Sequence, residues 1–383
     1  MHRIRMAVLI IALFLFSSCN IPTNNNSRGD TMSPGEGIAY DRLSLYPNIF
    51  PDEDFKMGYI DDKGNITIEP VFAIANDFEN NFALVAAPDD VLAHWYFINK
   101  AGENIFGETF ERAADFSEGR AVVSKNGHTY VINTKGERVV EINSNAVFPG
   151  KFQNGLLLIP GELQNDFTRT YEYVNHEGHI VCSGVYSYAN NFSEELASVQ
   201  NPEDGKLYYI DKTGKIVIRT EFSFEVVELD MHRFSDGLAL VDENQDDGTI
   251  FYGYIDRNGE IAIPLQYQYA QPFSEGLAMV QTGEGTGFIN TSGEMVIPPV
   301  YEDAKSFSEG LACVTKAENE FGPKRAGFIN RQGELVIDYL YSDFYSAAVS
   351  YEPANIMKNG LIQVKSYDEG WYGYIDKHGT RIF

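Results

Sequence analysis

The chain has 383 residues, 44% of them hydrophobic and 13% aromatic, and 55 Asp and Glu against 29 Lys and Arg leave a net charge of −26. That length is enough for one large core or several domains. The charge opposes binding to nucleic acid or to an anionic membrane face, both themselves anionic, so no nucleic-acid partner is expected.

In chain order, residues 1–18 read as a signal peptide. A basic start, "MHRIR", precedes the apolar run "MAVLIIALFLF", which is too short for a stable membrane-spanning helix. The stretch Phe16-Ser17-Ser18-Cys19 resembles the lipobox of bacterial lipoproteins, with Phe16 where that motif usually has Leu. The resemblance implies that Cys19 becomes the lipidated N-terminus and inserts in a membrane. Asn20, in place of Asp, favours the outer membrane, with the body facing the periplasm or the surface. Residues 19–38 are polar, almost without large apolar groups, and read as a flexible tether. The remaining cysteines, Cys182 and Cys313, lie in different repeats with no neighbouring His and read as separate core thiols.

Residues 39–383 are built on two recurring phrases. The first is an aromatic or aliphatic residue, Ile or Val, Asp or Asn, two free positions and Gly. It appears nine times, from "YIDDKG" at 59–64 to "YIDKHG" at 374–379. The spacing averages about 39 residues, inside the range of repeat architectures. Asp or Asn accepts hydrogen bonds from backbone two or three residues on, and Gly supplies the positive φ that ends a type I turn with a bulge. Apolar runs such as "EIAIPLQY" then read as strands, with Pro70, Pro264 and Pro298 marking an exit or an unpaired edge.

The second phrase is Phe-Ser-Glu-Gly, a turn, followed by Leu-Ala-x-Val, a third strand, as in "PFSEGLAMV" at 272–280 and "SFSEGLACV" at 306–314. Its anchor Phe recurs as Phe78, Phe116, Phe152, Phe192, Phe234, Phe273 and Phe307, with Met357 in the eighth copy. A large ring at a fixed place in every unit reads as a wedge between successive sheets. Length variation collects mainly in the loop between the Leu-Ala-x-Val strand and the next hairpin, where recognition usually lives. The fold expected is all-β: a tandem array of about nine three-stranded meander or hairpin units, as an open curved solenoid or a propeller-like ring. The first and last units read as incomplete, and nine is a large number for a ring, so the open form is favoured.

These units resemble the WG β-repeats, or KWG repeats, of bacterial proteins over residues 57–383. The Trp-Gly pair that names the family is absent. Its Gly position holds Gly58, Gly253, Gly287, Gly327 and Gly373, but Tyr96, Tyr130, Glu172 and Tyr208 elsewhere, and Trp95 alone fills the Trp position. The resemblance implies a fold and little chemistry.

A catalytic carboxylate pair should be singular, whereas the hairpin Asp and the Glu of the turn repeat, so they read as scaffold. No catalytic residue, metal site or cofactor is assigned. His176 and His179 flank a turn without a third ligand. Asp242, Asn244 and Asp246 resemble the start of a calcium loop, but Gly248 falls one place late. Phe321 and Trp371, in variable loops beside polar groups, are the candidate binding residues for a protein or glycan. The sequence therefore reads as a non-enzymatic, membrane-anchored envelope lipoprotein that binds a protein or glycan. The alternatives are an envelope glycan hydrolase on a propeller-like frame and a structural spacer.

Overall fold

The structure, a computed structural model, describes residues 46–50, 56–79, 81–87, 94–142, 148–164, 167–223, 231–317, 322, 324–342, 356–369 and 371–382. These contain no helix and form nine small antiparallel sheets, arranged as a nine-bladed β-propeller. The repeat architecture legible in the sequence is thus the observed one.

The seventh sheet serves as the pattern. Its strands are Tyr269–Ala270, Leu277–Thr282, Gly285–Asn290 and Met295–Tyr301, hydrogen-bonded in chain order. The hairpin turn follows from its residues. Asn290 Oδ1 accepts from the backbone N–H of Ser292 and of Glu294, both at 3.0 Å, two and four residues on. Gly293 then takes φ +80°, and the ladder shifts register at Phe288 and Ile289, as a bulge requires. Strand pairing differs from the sequence reading in one respect. The Leu-Ala-x-Val strand bonds to the hairpin after it, Ala278 opposite Ile289, and not to the hairpin before. A blade is therefore that strand plus the following hairpin, and Tyr46–Phe50, paired with Lys56–Ile60, opens the first blade in the same role. Pro70, Pro264 and Pro298 fall within outer strands, where a missing N–H breaks no ladder.

The anchor residues are the wedges. Phe116, Phe152, Phe192, Phe234, Phe273 and Phe307 are each at most 1% exposed. The hairpin aromatic of one blade meets the anchor of the next with ring centroids 4.8–4.9 Å apart: Tyr59 with Phe78, Phe97 with Phe116, Tyr173 with Phe192, Tyr209 with Phe234, Tyr254 with Phe273, Phe288 with Phe307. In two blades one partner is aliphatic: Val131 shares a core cluster with Phe152, and Phe328 with Met357. Where the hairpin aromatic is Tyr, its hydroxyl donates to the chain two residues before the next anchor, as from Tyr254 to the Gln271 carbonyl at 2.7 Å. Burying a tyrosine this deeply holds its pKa well above the ordinary value, so the hydroxyl stays a donor.

Contrary to the open form favoured by repeat number, the ring closes. Tyr374 of the ninth blade packs with its ring centroid 5.5 Å from that of Tyr46 of the first, the planes tilted by 52°, and both sit in a cluster with Ile60 and Leu361. The Tyr374 hydroxyl donates to the Pro47 carbonyl, repeating across the junction the bond that joins the other blades. Burial at the junction is thus of the same kind as within the array, and the sheet faces of the first and ninth blades cover one another at Tyr46, Ile60, Leu361 and Tyr374.

Candidate functional site

The outer strands alternate exposed and buried residues, and the opposite edge of the blades from the second onward carries the turn that follows the anchor, with Ser after the anchor in the third, fifth, sixth, seventh and eighth. At that edge the turns fasten one blade to the next. The hydroxyls of Ser117, Ser193, Ser235, Ser274 and Ser308 donate to the carbonyls of Phe152, Phe234, Phe273, Phe307 and Met357 at 2.6–2.8 Å. The neighbouring carboxylate accepts from the next turn: Glu275 from the Gly310 N–H at 3.0 Å, Glu309 from the Gly360 N–H at 2.8 Å, Glu118 from the Gly155 N–H at 2.9 Å. These acidic residues adopt positive φ, 56° at Glu275 and 49° at Glu309, an uncommon backbone fixed by the turn. The repeated Ser and Glu hold the frame, as their repetition implied.

On one side of the ring the pattern breaks. Glu79 and Lys358 replace the serine, and Asp77, Asp115 and Lys151 precede their anchors. Lys358 pairs with Asp77 across the junction, and the Asn76 amide donates to Asp115 Oδ1 at 2.9 Å. Burial pushes the Asp115 carboxyl above its ordinary range, against the Asn76 bond and the Lys151 charge that pull it down. Burial raises Glu79 likewise, opposed by Lys358 and Lys151. Charges from the second, third, fourth and ninth blades thus act on one another, because the inner edges converge on the axis. The group offers carboxylates to a cation and ammonium groups to an anion in a partly desolvated setting, where each is worth more than in water. The sequence carried its signal in the residues that replace the Ser and precede the anchor, but only the ring places them together.

The residues singled out from sequence fall elsewhere. Cys19 and Phe321 lie outside the described residues. Trp371 is half-buried at the rim of the eighth and ninth blades, edge-on to Tyr341 at 6.4 Å with the Arg381 guanidinium 4.3 Å from its ring centroid. His176 packs on Phe152 and places Nε2 3.1 Å from Glu118, so it serves a blade contact. Asp242 is buried in the strand Leu238–Asn244, 3.7 Å from His232, and does not belong to an exposed calcium loop. Among the described residues no three His, Cys, Asp or Glu side chains are placed to hold one metal ion.

Fold and edge chemistry together define a repeat-built β-propeller, a frame of the binding or structural kind. The chain belongs to the WG containing repeat family, whose model matches residues 57–86, 97–127, 173–206, 209–245, 252–284, 287–319 and 327–348. Among solved structures it is similar to a eukaryotic initiation factor at 10% identity and TM-score 0.57, covering 89% of this chain and 96% of that one. At that identity the likeness is one of fold alone. Hsv2 of Kluyveromyces lactis matches at 9% identity and TM-score 0.36, over 75% of this chain and 98% of that one. A protein of unknown function from Bacteroides caccae matches at 12% and 0.24, over 64% and 88%. Comparison with curated proteins returns no match.

Proposed function

We propose that the protein is an exported lipoprotein of the cell envelope, anchored through Cys19, whose propeller binds a protein or glycan partner without transforming it. The leader and the polar tether of residues 19–38 support the location, outer membrane with a periplasmic or surface-facing body. The observation that carries the binding role is the inner-edge group of Asp77, Glu79, Asp115, Lys151 and Lys358. At Glu79 and Lys358 a charge takes the place of the Ser that fastens blades elsewhere, and with Asp77, Asp115 and Lys151 before their anchors the frame holds charged side chains of both signs, suited to a partner bearing amino and carboxyl groups.

The test is capture from envelope extract by the whole chain, beside Asp77→Asn/Asp115→Asn and Phe321→Ala/Trp371→Ala. A partner lost only with the first variant supports the inner edge. Loss only with the second moves the binding face to the variable loops. Capture of nothing by the unaltered chain sinks the binding role in favour of a spacer. One observation favours a second reading, a glycan hydrolase: Asp115, raised by burial beside two other carboxylates, has the character of a general acid. Under that reading Asp115→Asn abolishes turnover of envelope glycan while the glycan is still retained.

A further inference from the structure

The outer strand of the fourth blade, Ile180–Tyr186, lacks the protection that the comparable strands carry. In each, a buried residue near the middle is followed by an exposed one at the free edge. That exposed residue is Glu69, Arg219, Pro264, Pro298 or Asp338 in the first, fifth, sixth, seventh and eighth blades. A charge or a proline at that place discourages pairing with a foreign strand. In the fourth blade it is Ser183, flanked by Val181 at 42% and Val185 at 55% exposure, with Ile180 at 56%. The eighth blade shows that such an edge accepts an added segment. The Tyr367 N–H donates to the Leu340 carbonyl at 3.0 Å, and Ser366 bridges Tyr341. The loop of the fourth blade adds to the apolar surface at the Tyr186 end. Arg169 pairs with Tyr186, and two residues before it, beyond the buried Thr168, stands Phe167, 76% exposed at φ +64°, a backbone region costly for a bulky residue.

We propose that Ile180–Tyr186 pairs antiparallel with the same strand of a second copy, joining two propellers rim to rim about a two-fold axis through Ser183. The strand is self-complementary about that residue. The two-fold sets Val181 against Val185 of the other copy and Ser183 against Ser183, apolar and hydroxyl pairs that stabilise a ladder. Charge decides the occupant. Ile180–Tyr186 contains no side chain that is charged near neutral pH: its two ionisable groups, the Cys182 thiol and the Tyr186 phenol, are both pushed up by burial and stay neutral, so two chains of net charge −26 meet there without like charges in register. The same operation about Arg219 or Asp338 opposes Arg to Arg or Asp to Asp.

The test is sedimentation velocity of the whole chain in detergent over a concentration series, with far-UV circular dichroism confirming the fold of each variant. The unaltered chain is expected to dimerise. Ser183→Lys and Ser183→Glu, each opposing like charges on the axis, should raise the dissociation constant by about tenfold or more. An equimolar mixture of the two should dimerise again, because Lys then faces Glu. A chain that stays monomeric at every concentration overturns the proposal, as does a Ser183→Lys dimer of unchanged affinity or a mixture that fails to recover.

Discussion

Tyr46 and Tyr374 are separated by nearly the whole chain, and they are energetically coupled only if the ring is closed. Both are about 5–6% exposed, with ring centroids 5.5 Å apart, and the Tyr374 hydroxyl bonds to the Pro47 carbonyl. Truncating either to Ala removes a buried ring, costing about 3–5 kcal/mol by comparison with other large aromatics in cores. The aromatic pairing itself accounts for about 0.5–1.5 kcal/mol beyond area. The double variant should therefore be less destabilised than the sum of the singles by about that amount. Tyr374→Phe, which keeps the ring and loses the bond, should cost about 1 kcal/mol. Urea midpoints at constant slope compare the four variants with the unaltered chain. Additivity to within about 0.3 kcal/mol refutes closure, because residues with no shared contact behave independently.

Three further outcomes follow from the packing and charges. Gly259→Ala meets the Ile218 methyl at 2.7 Å as well as φ +83°, whereas Gly248→Ala meets φ +84° with nothing within 4 Å, so the first should unfold at lower urea and the gap measures blade-to-blade contact. For Asp115 the folded pKa lies above the unfolded one, so the folded state binds the extra proton between them and stability falls as pH rises through that window. Asp115→Asn should accordingly be more stable than the unaltered chain at pH 7, with the difference closing as pH falls toward the ordinary value of 3.8. Cys182 is buried and its thiol pushed up to about 11, chiefly by burial, so iodoacetamide at pH 8 should leave it unmodified in the folded protein and alkylate it in urea, read by mass.

The hairpin turns, the wedge at each anchor and the all-β class were legible in the sequence because they rest on short-range chemistry. Asn290 fixes its own turn through bonds to Ser292 and Glu294, and Phe307 is apolar wherever its blade stands. Three things were decided by tertiary structure. The Leu277–Thr282 strand has a hairpin on either side, and local sequence does not choose between them; the ladder to Gly285–Asn290 does. Closure depends on the angle accumulated over nine blades, a sum that no single unit encodes, so Tyr46 and Tyr374 met unannounced. The inner-edge group was hidden for a related reason: Asp77, Asp115 and Lys151 are distant in sequence and meet only through packing of consecutive blades, and Lys358 joins them only because the ring closes.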